Sequence, residues 1–183
     1  MDNGAESYRR YLEGDDDGLA DLMRDYENGL ILYIDSIIHD IAVSRELSDE
    51  VFFRLALKRP AYREEYSFKA WLYAIGRNLA KSHITRFIAK NRAESIDDNI
   101  EAPEDIEREH IRNEEKLMLH KAMKNLKTQY RQVLTLVYFE QLSNKEAGAV
   151  MHKTVRQIEN LLYRAKASLK TELEKEGFEY EGL

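Results

Sequence analysis

Apolar and polar positions recur along this chain at the helical period, and two-residue alternation long enough for a strand is scarce. From Leu19 onward, Leu22, Tyr26, Leu30, Tyr33, Ile34, Ile37 and Ile38 keep helical spacing and predict a long core helix. Residues 1–13 ahead of it read as a short helix or a frayed arm. Gly14 to Gly18 read as a turn whose aspartates cap the core helix and suit its positive end. A calcium loop would need a longer run and a later acidic ligand. Residues 44–57 predict a second helix, capped at Ser44 or restarted at Ser48. Its inward set is Leu47, Val51 and Leu55, with Phe52 on the border, and Glu46, Asp49, Glu50, Phe53 and Arg54 fall outside. Pro60 ends it.

Phe68 to Phe87 is the stretch around which the rest is organised. Phe68, Trp71, Leu72, Ile75 and Leu79 form one apolar stripe, and Ser67 is placed to cap the helix. Lys69, Tyr73, Arg77 and Lys81 recur every fourth residue on the other side, with Asn78 and Ser82 along the border. Cations and aromatics on one face suit a polyanion with exposed bases. A solvated basic face gives the same spacing, so this helix alone does not decide.

Residues 93–112 differ in character. Glu94, Asp97, Asp98, Glu101, Glu104, Asp105, Glu107 and Glu109 crowd a segment broken by Pro103 and poor in large apolar residues. It reads as an acidic linker between two domains, 1–92 and 113–183. Beyond it, Leu117, Met118, Met123 and Leu126 predict one amphipathic helix. Tyr130 to Phe139 predicts another, apolar on most sides and therefore buried. Ser143 with Glu146 forms a capping box before Ala147, Gly148, Ala149, Val150 and Met151. A turn at His152-Lys153-Thr154 leads to a last helix with Ile158, Leu161, Leu162, Ala165 and Leu169 inward. Arg156, Gln157, Glu159, Asn160, Tyr163, Arg164 and Lys166 are left outside. Small residues at 147–149 allow two helices to cross closely, and Arg, Gln and Asn can reach base edges. A helix-turn-helix that binds DNA accounts for this pattern, and a helical hairpin that binds protein is the alternative.

Composition narrows the class. With only 8 Gly and 2 Pro in 183 residues, long helices are expected, and the fold class is all-α. The absence of Cys excludes disulfides and thiolate chemistry. No apolar run approaches a membrane span and the N-terminus lacks the apolar core of a secretory signal, so the expected location is cytoplasmic. The net charge of −6 argues against nucleic acid, but its distribution argues for it. Arg54, Lys58, Arg59, Arg63, Lys69, Arg77, Lys81, Arg86, Lys90 and Arg92 face only Glu64 and Glu65 in their stretch. Lys145, Lys153, Arg156, Arg164, Lys166 and Lys170 face Glu146 and Glu159 in theirs. A polyanion senses fields within about 8–10 Å, so separated basic blocks outweigh the sum. The five histidines have no metal spacing, and neither a phosphate loop nor a nucleophile motif occurs. No enzyme activity, metal or cofactor is expected.

In this order, the blocks resemble a bacterial RNA polymerase sigma factor of the small extracytoplasmic-function class, over nearly the whole chain. Glu46 to Phe52 is similar to the family's acidic segment that docks on the β′ coiled coil of core polymerase. Phe68 to Ala80 is similar to its block for melting the −10 element. Leu126 to Leu142, Ser143 to Met151 and Leu162 to Lys166 are similar to the domain that reads the −35 duplex. The resemblance implies polymerase contacts at Glu46, Asp49, Glu50 and Phe52. It implies capture of a flipped −10 base by Tyr62, Arg63 and Asn78, with Lys69, Tyr73, Arg77, Lys81 and Arg86 along the same strand. It implies −35 contacts at Lys153, Arg156, Gln157, Asn160, Tyr163 and Arg164. An inhibitory anti-sigma protein is a further implied partner, beside core polymerase with its β and β′ subunits and promoter DNA. Two departures stand out. Arg156-Gln157-Ile158-Glu159-Asn160 replaces the frequent Gly-Thr-Val-Lys/Arg-Ser, placing an acid where relatives carry a base. Gly148 stands where Ala is usual, at a helix cost of roughly 0.8–1 kcal/mol unless closer packing offsets it. The rivals are a one-component helix-turn-helix regulator and a helical adaptor without nucleic-acid function.

Overall fold

The computed structural model describes residues 3–93 and 114–176, and every element among them is a helix. The acidic segment expected at 93–112 lies outside the described residues, save Ala93, which closes a helix. The elements are α1 (Asn3–Leu12), α2 (Asp17–Ile38), α3 (Ile41–Lys58), α4 (Phe68–Ala93), α5 (Glu114–Lys124) and α6 (Thr128–Leu134). A π-helical segment, Thr135–Phe139, continues α6, and α7 (Asn144–Met151) and α8 (Val155–Lys175) follow.

The N-terminal arm is a docked helix because its tyrosines find both burial and partners. Tyr8 and Tyr11 are buried, and their hydroxyls donate to the carbonyls of Pro60 (2.7 Å) and Ala56 (2.9 Å) at the end of α3. Burial, helped by the nearby Tyr11 and opposed by Arg59, pushes the Tyr8 hydroxyl up to about 12. Of the aspartates before α2, Asp16 sits at the cap without a side-chain bond. Asp15 instead accepts from the Asp17 N–H at 3.1 Å, while Arg10 holds Asp15 and Asp21.

The start of α3 corrects the expectation. Asp40 is the cap, accepting from the Val43 N–H at 3.0 Å, and Ser44 and Ser48 are buried inside the helix. Asp40 has the extended backbone that a cap needs, whereas the Ser44 hydroxyl is already committed to the Asp40 carbonyl at 2.7 Å. The helix ends at Lys58, with Arg59 in the left-handed region (φ 42°) just before Pro60.

Helices α1 to α4 pack around one another, sealed by a cluster of Tyr8, Tyr26, Tyr62, Phe68 and Trp71 whose ring centroids lie 5.3–5.9 Å apart. Helices α5, α6 and α7 pack on α8. These two groups also meet: α4 packs on α7, and α2 on α6 and the π segment, so one apolar core runs through both. The stretch Tyr130–Phe139 is not buried throughout. The π segment changes the phase of the helix, leaving Tyr138 and Phe139 about half exposed while Glu140 turns inward, and ahead of it the polar Arg131 and Gln132 of α6 are buried. No helix among the described residues is long and apolar enough to cross a membrane.

Candidate nucleic-acid interface

The α7–α8 pair is built by two capping boxes in succession. Ser143 accepts from the Glu146 N–H (3.3 Å) while Glu146 accepts from the Ser143 N–H (2.9 Å). Burial would raise the Glu146 carboxyl, but hydrogen bonds from Ser143 and Ser67 outweigh it and hold the group below its ordinary range. At the start of α8, Thr154 and Gln157 form the second box, with bonds of 3.2 Å and 2.9 Å. Between them His152 takes the left-handed conformation (φ 53°), and the Lys153 N–H closes on the Gly148 carbonyl at 2.9 Å. A Cβ on Gly148 would lie 2.6 Å from the Lys153 carbonyl oxygen. Glycine at 148 is therefore required by the tight turn, which offsets its helix cost.

This geometry sets α8 with one face on the core and the other outward. Ile158, Leu162 and Ala165 are buried, and Arg156, Glu159, Asn160, Tyr163, Arg164 and Lys166 are all exposed, Tyr163 to 79%. Lys153 is half-buried in the turn. Gln157 is exposed, with its side-chain oxygen accepting from the Thr154 N–H in the cap and its NH₂ left outward. Lys166 lies over the Tyr138 ring at 5.1 Å.

In the first group, Asn78, Lys81 and Arg86 are exposed along α4, and Arg63 is exposed in the preceding loop. Tyr62 is half-buried, edge-on to Phe68, and donates its hydroxyl to the Tyr66 carbonyl at 2.6 Å. Ser67 caps α4 through the Ala70 N–H at 3.3 Å. The expected outer row of α4 needs correction. Tyr73 is fully buried, stacked on Tyr33 at 5.4 Å, and Arg77 is buried as well. Lys69 is half-buried and paired with Glu140 at 2.7 Å. Trp71 and Ile75, expected inside, are only half-buried. The reason is that α4 is covered from two sides, by α2 and α3 and by α7, so its buried surface is wider than one stripe.

On α3, Glu46 and Asp49 are exposed and Glu50 pairs with Arg54 at 2.8 Å. Phe52 is a core residue at 3% exposure, and the aromatic on the outer face is Phe53 at 58%, followed by exposed Leu57. Phe52 is thus removed from the candidate polymerase contacts. Among the described residues no three His, Asp or Glu side chains gather as a metal site.

Four residues that sequence reasoning did not single out tie the two groups together. Glu140 receives Tyr73 (2.6 Å) and Lys69, and Arg131 reaches the Ser36 carbonyl (3.2 Å) and His39 (2.6 Å). Burial first, then the Glu140 carboxylate, push the Tyr73 hydroxyl far above its ordinary range. These partners lie 67 to 95 positions apart, and no local pattern marks them.

Residues 116–169 match the model of sigma-70 region 4, the class that this helix-turn-helix defines. The chain belongs to the sigma-70 family of RNA polymerase sigma factors, in the extracytoplasmic-function class. It is 26% identical over 176 residues to the RNA polymerase sigma-H factor of Pseudomonas aeruginosa, covering 87% of this chain and 88% of that protein. It is 30% identical over 170 residues to the ECF RNA polymerase sigma factor BldN of Streptomyces coelicolor, covering 90% of this chain and 63% of that one. The fold is similar to that of the sigma factor RpoE, solved with the anti-sigma factor NepR from Bartonella quintana. That match has a TM-score of 0.64 at 18% identity, over 85% of this chain and 96% of that one.

Proposed function

We propose that this sigma factor acts in the cytoplasm as two working parts, residues 1–92 and 113–183, each with its own target. The carrying observation is α8. It presents Arg156, Asn160, Tyr163, Arg164 and the NH₂ of Gln157 on one exposed face, set by two capping boxes and a turn that only Gly148 fits. Such a helix enters the major groove with its N-terminal residues at base edges, here those of the −35 duplex. Glu159 lies between Arg156 and Asn160, suited to accept from a cytosine amino group.

The first part takes the −10 strand. Exposed Asn78, Lys81 and Arg86 on α4, with Arg63 and Tyr62 in the loop before it, supply cations, a guanidinium plane and an edge partner for an unstacked base. Core polymerase docks on the outer face of α3, through Glu46, Asp49, Glu50 and the exposed Phe53. An anti-sigma protein, of the kind bound to the sigma factor of similar fold, is a further partner. No covalent chemistry is required of the chain.

Promoter-library transcription with purified core polymerase, with and without the protein, tests this function. Transcripts that depend on it and share two short upstream elements are expected. Binding to neither core nor DNA would favour the adaptor alternative.

A further inference from the structure

Proline at position 60 leaves a carbonyl of α3 without its helical donor. In a continuing helix the N–H of residue 60 would close on the Ala56 carbonyl, and a proline has no N–H. The Tyr11 hydroxyl of α1 takes that place at 2.9 Å, and Tyr8, one turn earlier, donates to the Pro60 carbonyl at 2.7 Å. The Arg59 guanidinium lies over the Tyr11 ring at 5.1 Å. The path by which the chain leaves α3 is thus fixed by a helix 45 to 52 positions away in sequence.

That path leads into the loop of Tyr62 and Arg63. The Tyr8 ring lies 5.4 Å from Phe68 and 5.6 Å from Trp71, the same two rings that Tyr62 meets at 5.4 Å. Tyr8 therefore holds the loop twice, at the Pro60 backbone and through the rings it shares with Tyr62. Arg9 reaches Glu64 of the same loop at 3.9 Å. That ion pair is exposed and adds little, whereas Tyr8 is buried at 1% exposure. The first turn of α1 presses on the same cluster: a Cβ at Gly4 would lie 2.5 Å from a Phe68 ring carbon and 2.6 Å from the Tyr26 hydroxyl.

We propose that α1 is the positioning element of the base-capture loop and Tyr8 its positioning residue, whose hydroxyl sets the Pro60 backbone so that Tyr62 and Arg63 are arranged before the base arrives. The inference rests on the assignment of that loop to the −10 strand. A loop already held in its binding conformation spares the incoming base the cost of ordering it. Loss of the clamp therefore lowers selection at the captured base more than binding to the rest of the strand. A helix that only completed the core would affect every position alike.

Tyr8→Phe keeps the ring and removes the hydroxyl. Trp71 is the only Trp of the chain, so its fluorescence reports on the cluster. In the free protein, Tyr8→Phe should keep helicity and make Trp71 more accessible to acrylamide. Holoenzymes assembled with purified core polymerase are then given a random-sequence single-stranded DNA library, and the bound strands are sequenced. Tyr8→Phe should lower enrichment at the most selected base by about fivefold, the worth of one hydrogen bond, and leave the other positions as in the wild type. Unchanged quenching or unchanged enrichment at that base overturns the proposal, as does an equal loss at every position. Should Tyr8→Phe not fold, Tyr11→Phe loosens the same end of α3 and is read in the same way. Arg63→Ala and Asn78→Ala test the base-capture assignment separately. If both keep the wild-type enrichment, that assignment falls whatever Tyr8→Phe does. If both lose it while Tyr8→Phe keeps it, only the positioning role falls.

Discussion

Arg131 in α6 points Nη2 at Nε2 of His39, the residue that closes α2, across 2.6 Å. A guanidinium can only donate, so the imidazole accepts at Nε2 and is neutral. His39 is exposed as a whole, yet this edge of its ring is covered by α6, with the Thr128 hydroxyl 3.4 Å from the same nitrogen. Burial, then Arg131 and Lys124, hold the group below its ordinary range. Asp35 faces Arg131 from α2, and Asp40, next to His39, is committed to capping α3.

Docking of the two parts should therefore weaken in acid. The separated form binds the extra proton more readily, because only the docked form depresses the His39 pKa. Docking is at full strength above the ordinary imidazole pKa of about 6.5 and weakens as pH falls through it toward the depressed value. The chain has no Cys, so spin labels placed at Glu13→Cys and Thr171→Cys, one in each part, should report the shift as a longer separation between about pH 8 and about pH 5.5. His39→Gln should flatten the dependence over this range.

Arg131 is a structural guanidinium. It is 7% exposed and bonds the carbonyls of Ser36 (3.2 Å), Lys124 (3.2 Å) and Leu126 (3.5 Å). Arg131→Ala should cost about 2–3 kcal/mol in denaturant unfolding, by leaving buried acceptors unpaired. Arg131→Lys should recover little, since an ammonium cannot span three carbonyls.

Gly148→Ala separates helix propensity from packing. Propensity alone predicts a gain of about 1 kcal/mol. The new Cβ would meet a backbone oxygen at 2.6 Å, in a turn closed by its own hydrogen bond. A net loss of about 1–3 kcal/mol is expected instead, with weaker −35 binding as α8 tilts. A stabilised variant with unaltered DNA binding would contradict the tight crossing.

The two phenylalanines of α3 should part company. Phe52→Ala removes a core ring and should cost about 3–5 kcal/mol of stability. Phe53→Ala should leave the melting curve nearly unchanged and weaken binding to core polymerase, read by co-sedimentation or competition.

On α8, Arg164→Ala should weaken binding to −35 duplexes regardless of sequence and reduce the salt slope by about 1. Asn160→Ala should cost about 1–3 kcal/mol on the preferred sequence and relax selection at one base pair, with the salt slope kept. A random-duplex selection at two salt concentrations distinguishes these outcomes.

What the sequence determined by itself is local. Helical periodicity set α2, α6 and α8, and the capping box at Ser143 and Glu146 marked where α7 begins. The exposed face of α8 followed because Ile158, Leu162 and Ala165 leave only one way for it to pack. All of this depends on residues three or four apart, where side-chain spacing and backbone geometry are coupled. The inner and outer sides of α4 were not legible in the same way. Ala70, Gly76 and Ala80 carry little hydrophobic signal yet are buried, and Tyr73 and Arg77 read as surface until α7 and Glu140 are in place. The room left by Gly29 likewise matters only because the Tyr73 hydroxyl from α4 and the Glu140 carboxylate from beyond the acidic segment converge on it. Tertiary structure decided these points because burial is a property of both packed surfaces, and periodicity describes only one of them.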